Sequence, residues 1–183
     1  LIRLDTSNYG DGSGPGERKA AEYVAEKLTE VGLDPTLLES EPGRTTVVAR
    51  LDQLGLDYIE GGYPGGNPTD SALFAEDRAM RATFTAFGMT KRAGRSVSND
   101  AGLQQLLNAK SKAACFVAKS WDYHVRVALG CSNDENLESI RHSVEAARAA
   151  GKEVLVDCEH FFDGYKANPA YALAGAAEAY TAG

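Results

Sequence analysis

From Glu17 onward the apolar residues Ala20, Ala21, Val24, Ala25, Leu28 and Val31 recur at steps of three and four. That is the spacing of one helical face, and Gly32 stands where a C-terminal cap belongs. The four glycines and the Asx and Ser residues of 5–16 predict a loop before this helix. Residues 33–39 and 45–51 read as two short strands around a Glu41-Pro42-Gly43 turn. The pattern then changes. Short apolar runs at 57–60, 82–88, 113–119 and 153–159 suit strands covered on both faces. Helical periodicity separates them, over 70–81, 100–109 and 133–150, with Asn133 as the expected N-cap of the longest. A last helix is expected over 168–182, with Pro169 in its first turn. Four consecutive strand-then-helix units imply a parallel sheet with right-handed crossovers.

Composition narrows the classes of function. Nineteen Lys and Arg against 26 Asp and Glu give a net charge of −7, which offers no broad basic surface for a phosphate backbone or an anionic membrane. No partnership with nucleic acid or membrane is therefore expected. Hydrophobic residues make up 43% of the chain, enough for a packed core. No run of 18 apolar residues occurs, and residues 1–5 lack a basic stretch followed by an apolar one, so a cytoplasmic location is expected. Cys115, Cys131 and Cys158 are odd in number and show no C-x-x-C spacing. They are expected to be reduced thiols packed as small apolar groups.

In α/β proteins, polar residues at the carboxyl ends of parallel strands face a common crevice. One rim would gather Glu60, Lys119, Asp122, His124, Glu159, His160 and Asp163. Carboxylates beside imidazoles suit general acid–base work or a divalent cation. The same residues equally suit helix caps and ion pairs with Lys91, Arg92 and Lys119. His142 lies inside the long helix, where a solvated or partly packed role is the simpler reading. Residues 61–66 lack the G-x-G-x-x-G order, and no P-loop occurs. Thr90-Lys91-Arg92 with Arg95 forms a basic strand exit suited either to an anionic group or to solvent.

Four stretches carry a family likeness: LGLDYIEGGYPGGNP at 54–68, TAFGMTKRAG at 85–94, AKSWDYHV at 118–125 and VDCEHFFDGYKANPAYAL at 156–173. Through them residues 52–183 resemble the first half of the citramalate synthases, within the isopropylmalate/homocitrate synthase family (DRE-TIM metallolyases) of metal-dependent, acetyl-CoA-condensing (β/α)8 barrels. The likeness implies the second to fifth barrel strands with their helices. Residues 1–51, through LIRLDTSNYGDGSGPGERKAAEYVAEKL, GLDPTLLES and RTTVVARL, are instead similar to the start of a zinc-dependent exopeptidase of the aminoacylase/dipeptidase class. The join falls near Ala49-Arg50-Leu51-Asp52, and the two parts, 1–51 and 52–183, are expected to fold together as one domain. The fold class is accordingly α/β, with a mostly parallel sheet from four βα units. It would be a partial barrel or a flattened, doubly wound sheet, preceded by a helix and a β-hairpin.

The synthase resemblance implies a catalytic role for Glu159, the match to a fifth-strand carboxylate implicated in deprotonating the acetyl group. It implies substrate-binding roles for Glu60, Lys119, Ser120, His124 and His160 at the mouth. The family's D-x-x-x-R-D-G and H-x-H motifs do not occur in these 183 residues, and neither does the H-x-D segment of the peptidases. No metal ligand and no cofactor is therefore expected in this chain, although the resembled family uses a divalent metal and acetyl-CoA. Three functions compete: a chimeric scaffold that is inactive or very weak alone, a half-barrel completed by dimerisation or by a second chain, and a metallopeptidase relative. Four βα units leave sheet edges and apolar helix faces uncovered, so a homo-oligomer is expected.

Overall fold

The computed structural model describes residues 4–7, 9, 14–41, 44–48 and 55–183, with side chains described throughout except in 38–41 and 44–48. Residues 8 and 10–13 of the glycine-rich stretch expected as a loop, the Pro42-Gly43 turn and the 49–52 join lie outside the described residues. The chain divides into two compact units, Leu1–Asp57 and Tyr58–Gly183.

In the first unit, helix α1 (Arg18–Glu30) ends as its sequence predicts. Gly32 takes φ 86°, its N–H donates to Thr29 O at 2.9 Å, and Leu33 N donates to Leu28 O at 3.1 Å. This is a Schellman closure, with Leu33 buried as its hydrophobic partner. Strands β1 (Thr36–Glu41) and β2 (Arg44–Val48) follow and pair antiparallel, Leu37 opposite Val47.

The second unit is built on four parallel strands in sequence order: β3 (Tyr58–Gly62), β4 (Thr83–Met89), β5 (Ala113–Lys119) and β6 (Glu153–Glu159). Between and after them run α2 (Pro68–Leu73), α3 (Ala101–Asn108), a short α4 (Asp122–His124) continued by a π-helical turn over Val125–Leu129, α5 (Asn133–Ala149), α6 (Phe161–Ala167) and α7 (Pro169–Ala182). No helix among the described residues is long and apolar enough to cross a membrane.

Two local readings need correction. The helix expected over 70–81 spans only Pro68–Leu73, because Phe74 leaves the helix to stack on Phe84 of β4, ring centroids 4.8 Å apart. The cap of α5 is Ser132 rather than Asn133: Ser132 Oγ accepts from Glu135 N at 3.2 Å, while Glu135 Oε2 accepts from Ser132 N at 2.8 Å. That reciprocal capping box satisfies two donors where Asn133 would satisfy one. The polar exit after β6 runs into α6, an element given no expectation above, entered through His160 at φ 55°.

The helices pack on one face of the sheet. One core cluster joins Phe84, Ala86, Ala114 and Phe116 to Phe74, Leu103, Leu106 and Ala147. The other joins Ala118 to Ile140, Val144 and Ala179, with Val154 and Val156 against it. These strand residues share one alternation, and side chains of the opposite alternation, such as Phe87, Leu155 and Asp157, belong to neither cluster. Helices on a single face are the arrangement of a barrel segment, whereas a doubly wound sheet is covered on both.

Lys152 ties the turn before β6 to the loop before β5. Its buried Nζ donates to Ala109 O at 2.8 Å, Ser111 O at 2.9 Å and Ser111 Oγ at 3.3 Å. Burial, and then the neighbouring Lys110, lowers its pKa from the ordinary lysine value. A K152M variant leaves two inward carbonyls without this donor and should lose about 2 kcal/mol of unfolding free energy. Urea titration followed by circular dichroism checks it, and a loss well under 1 kcal/mol would show that other donors take over.

Candidate functional site

The parallel register brings the ends of β5 and β6 together, Lys119 opposite Glu159. Both are on the alternation that the helices leave bare. Lys119 Nζ donates to Glu159 Oε2, and the pair is partly buried, side chains 16% and 33% exposed. The two residues singled out at these strand exits are thus each other's partners. Ser120, next in line, is 1% exposed. Its N–H donates to Glu159 O at 3.2 Å and its hydroxyl to Ala118 O at 3.2 Å. Ser120 therefore closes the β5 exit onto β6 and turns its hydroxyl to its own strand.

A second group lies just beyond. Trp121 lies against His124, ring centroids 4.7 Å apart, and His124 meets His160 edge to face, also at 4.7 Å. His160 Nδ1 is 3.0 Å from Asp163 Oδ2. That hydrogen bond first, with lesser help from the neighbouring His160, Lys166 and His124, holds the Asp163 carboxyl below its ordinary range against the opposing desolvation. The left-handed backbone of His160 turns the chain from β6 into α6 and presents its imidazole to His124. Asp122 accepts from Asn168 Nδ2 at 2.9 Å, and Asn168 Oδ1 in turn caps α7 by accepting from Tyr171 N at 3.2 Å. Asp122 therefore joins the frame of α7 rather than the imidazole pair.

Glu60 sits apart from both groups. By register it opposes Thr85, which opposes Ala113 at the start of β5, six positions before Lys119. At about 3.3 Å per residue that separates Glu60 from Lys119 by roughly 20 Å along the strands. Its carboxylate instead faces Cys115, whose thiol is pushed up to about 12 by burial first, then by Glu60 and Asp157. Cys115 is accordingly a protonated, inert thiol rather than a nucleophile.

The divalent ion used by the resembled family does not fit these groups. Among the described residues no three His, Cys, Asp or Glu side chains come together to hold a metal. The two imidazoles face each other edge to face, and Glu159 is engaged by an ammonium.

Sequence reasoning missed the residues that frame the β5 exit from behind. Asn136, 1% exposed on α5, donates from Nδ2 to Lys119 O at 2.9 Å and to Tyr171 Oη at 2.6 Å. It anchors the backbone of Lys119 to α5 and α7 together. The signal was present as a polar residue on the inward stripe of a helix. Beside it, a cavity of about 520 Å3 opens between the loop after β4, the start of α3 and the start of α5.

No protein-family model matches the chain. The (R)-citramalate synthase of Streptomyces coelicolor is 44% identical over 133 residues, 70% of this chain and 25% of that protein. Those of Geobacter sulfurreducens and Aquifex aeolicus are 45% and 43% identical over 130 residues, in each case 69% of this chain and 25% of the relative. The chain thus spans about a quarter of the length of the curated relatives it matches. Over some 70% of its length it is related to part of the (R)-citramalate synthases, and the likeness read in its strand exits is the likeness of that family.

Proposed function

We propose that residues 1–183 act as a chimeric scaffold derived from the acetyl-CoA-dependent 2-keto-acid-condensing synthases, inactive or very weak by themselves. In this reading the exopeptidase-like segment replaces, in the order of the sequence, the barrel's first strand and helix. Glu159 keeps the position of the deprotonating carboxylate, and Lys119, Ser120, His124, His160 and Glu60 are inherited mouth residues. The observation that carries it is the Lys119–Glu159 pair at the mouth.

Enolate formation from a thioester needs a free base, and beside it positive charge aimed at the developing oxyanion. Here the carboxylate's Oε2 is taken up by the Lys119 ammonium rather than left free for a substrate. Losing one such stabilising group costs about 3–4 kcal/mol, two to three orders of magnitude in rate.

The assay is release of CoA thiol from acetyl-CoA in the presence of pyruvate, with and without magnesium or manganese. Thiol release should stay at the uncatalysed background in both cases. Turnover that depends on the metal and disappears in E159Q would overturn the reading. A second reading is favoured by the sheet face that carries no helix: the half-barrel is completed by a second copy or another chain. Light scattering at micromolar concentration tests it, and a stable monomer counts against it. The metallopeptidase reading rests on residues 1–51 alone, and dipeptide cleavage with added zinc tests it directly.

A further inference from the structure

The basic strand exit after β4 is not used by the groups discussed above, yet it is a built structure. Lys91 N donates to buried Ser143 Oγ at 2.8 Å, and Arg92 N donates to Asp100 Oδ2 at 2.8 Å. These two bonds fix the loop over the 520 Å3 cavity, into whose wall Lys91, Arg92 and Arg95 enter. Lys91 is the informative member. Its side chain is only 3% exposed, and its ion-pair partner, Glu138 Oε1, stands 4.0 Å away on a half-exposed side chain that also approaches His142 Nδ1 at 3.3 Å. A buried ammonium is retained at a cost unless a counter-charge reaches it.

The cavity's own carboxylates are already engaged. Asp100 accepts from Leu103 N on Oδ1, at 2.9 Å, and from Arg92 N on Oδ2. Glu135 accepts both the N–H and the hydroxyl of Ser132 on Oε2, each at 2.8 Å. Arg95 Nη1 reaches Asn99 O only at 3.5 Å. Lys91, Arg92 and Arg95 are thus set against Asp100 and Glu135, whose oxygens serve the backbone, and against Glu138, which lies outside the cavity lining; an external anion would add counter-charge on the cavity side.

We propose that this cavity binds a small organic phosphate monoester. Lys91 and the forked guanidinium groups of Arg92 and Arg95 take the phosphate, and Tyr63, Met89, Leu103 and Leu129 contact the organic body. The volume selects an ester over the free ion: 520 Å3 lies in the range of small-molecule sites, several times what a phosphate alone fills.

The test is calorimetric titration of the full chain with glycerol 3-phosphate, inorganic phosphate and glycerol. Glycerol 3-phosphate should bind saturably and more tightly than inorganic phosphate, and glycerol not at all. Loss of the charge-assisted contacts in the R92A/R95A double variant should weaken the ester about tenfold or more. K91M should weaken it similarly. Arg92 and Arg95 are exposed, so the double variant retains its fold, checked by circular dichroism, even where K91M does not. Absence of saturable binding by the ester overturns the proposal. Equal affinity in wild type and the folded double variant, or a preference for free phosphate over the ester, does the same. Acyl condensation plays no part in this readout, so it is independent of the function proposed above.

Discussion

Alanine at Gly164 should destabilise the chain by about 3 kcal/mol. A Cβ at that position would lie 2.2 Å from Ser120 O and 3.0 Å from both Ser120 C and Trp121 Cα. All three are backbone atoms, so no rotamer change relieves the clash. Nor can that backbone retreat freely, because Ser120 N is bonded to Glu159 O and Trp121 O accepts from Val125 N at 3.1 Å. Intrinsic helix propensity works the other way, favouring alanine by about 1 kcal/mol inside α6. The overlap with fixed backbone exceeds that gain. Gly175 in α7 is the control: its nearest atom would be Ile140 Cδ1 at 3.9 Å, an ordinary contact, so G175A should stabilise by up to about 1 kcal/mol. Urea unfolding of both variants gives opposite signs if α6 seats directly on the β5 exit. Trp121, the chain's single tryptophan, reports the same displacement through its emission. A G164A variant as stable as G175A would mean that α6 is not held against Ser120, and the placement of His160 against His124 would fall with it.

What was legible in the sequence followed from backbone chemistry that acts locally. The strands at Ala113–Lys119 and Glu153–Glu159 fall where the short runs of apolar and β-branched residues between helical patterns put them. Asn168-Pro169 announced α7 and Gly32 the end of α1, because caps use side chains and φ values fixed by residue type. The shortened α2 was not legible, since the stacking of Phe74 on Phe84 is a tertiary gain that overrides helical periodicity. α6 was hidden because aromatic and charged residues at 161–167 read as a site, and because a left-handed histidine starts it. For the candidate site, the strand-exit rule picked out Lys119 and Glu159 one by one. It gave no register, so it did not separate Glu60 from them or show that the cation and the carboxylate neutralise each other. Asn136 escaped because the inward face of α5 carries three buried polar residues, Asn136, Ser139 and Ser143, whose partners the sequence does not reveal, and only the fold shows that Asn136 holds the carbonyl of Lys119.

Truncating Phe116 should have the largest effect of any single core change, about 4 kcal/mol. Its ring is fully buried at the centre of the helix-covered face, among Phe84, Leu103 and Leu106, with no exposed edge through which the neighbours might collapse. The informative comparison is Phe87, one strand over and of the opposite alternation. It pairs in register with Cys115 and is only half-buried, on the face that neither core cluster uses. In an isolated chain F87A removes a ring that is already partly wet, and the cost should be about 1–2 kcal/mol. If a second copy or another chain covers that face, Phe87 becomes a core residue. Its truncation then approaches the cost of F116A, and the difference grows with protein concentration because association is linked to folding. Denaturant titrations of both variants at two concentrations a hundredfold apart therefore read the two faces independently. F116A losing little at either concentration would mean that the helix layer does not form the core described above. F87A losing little at both would mean that the bare face of the sheet is bare in solution.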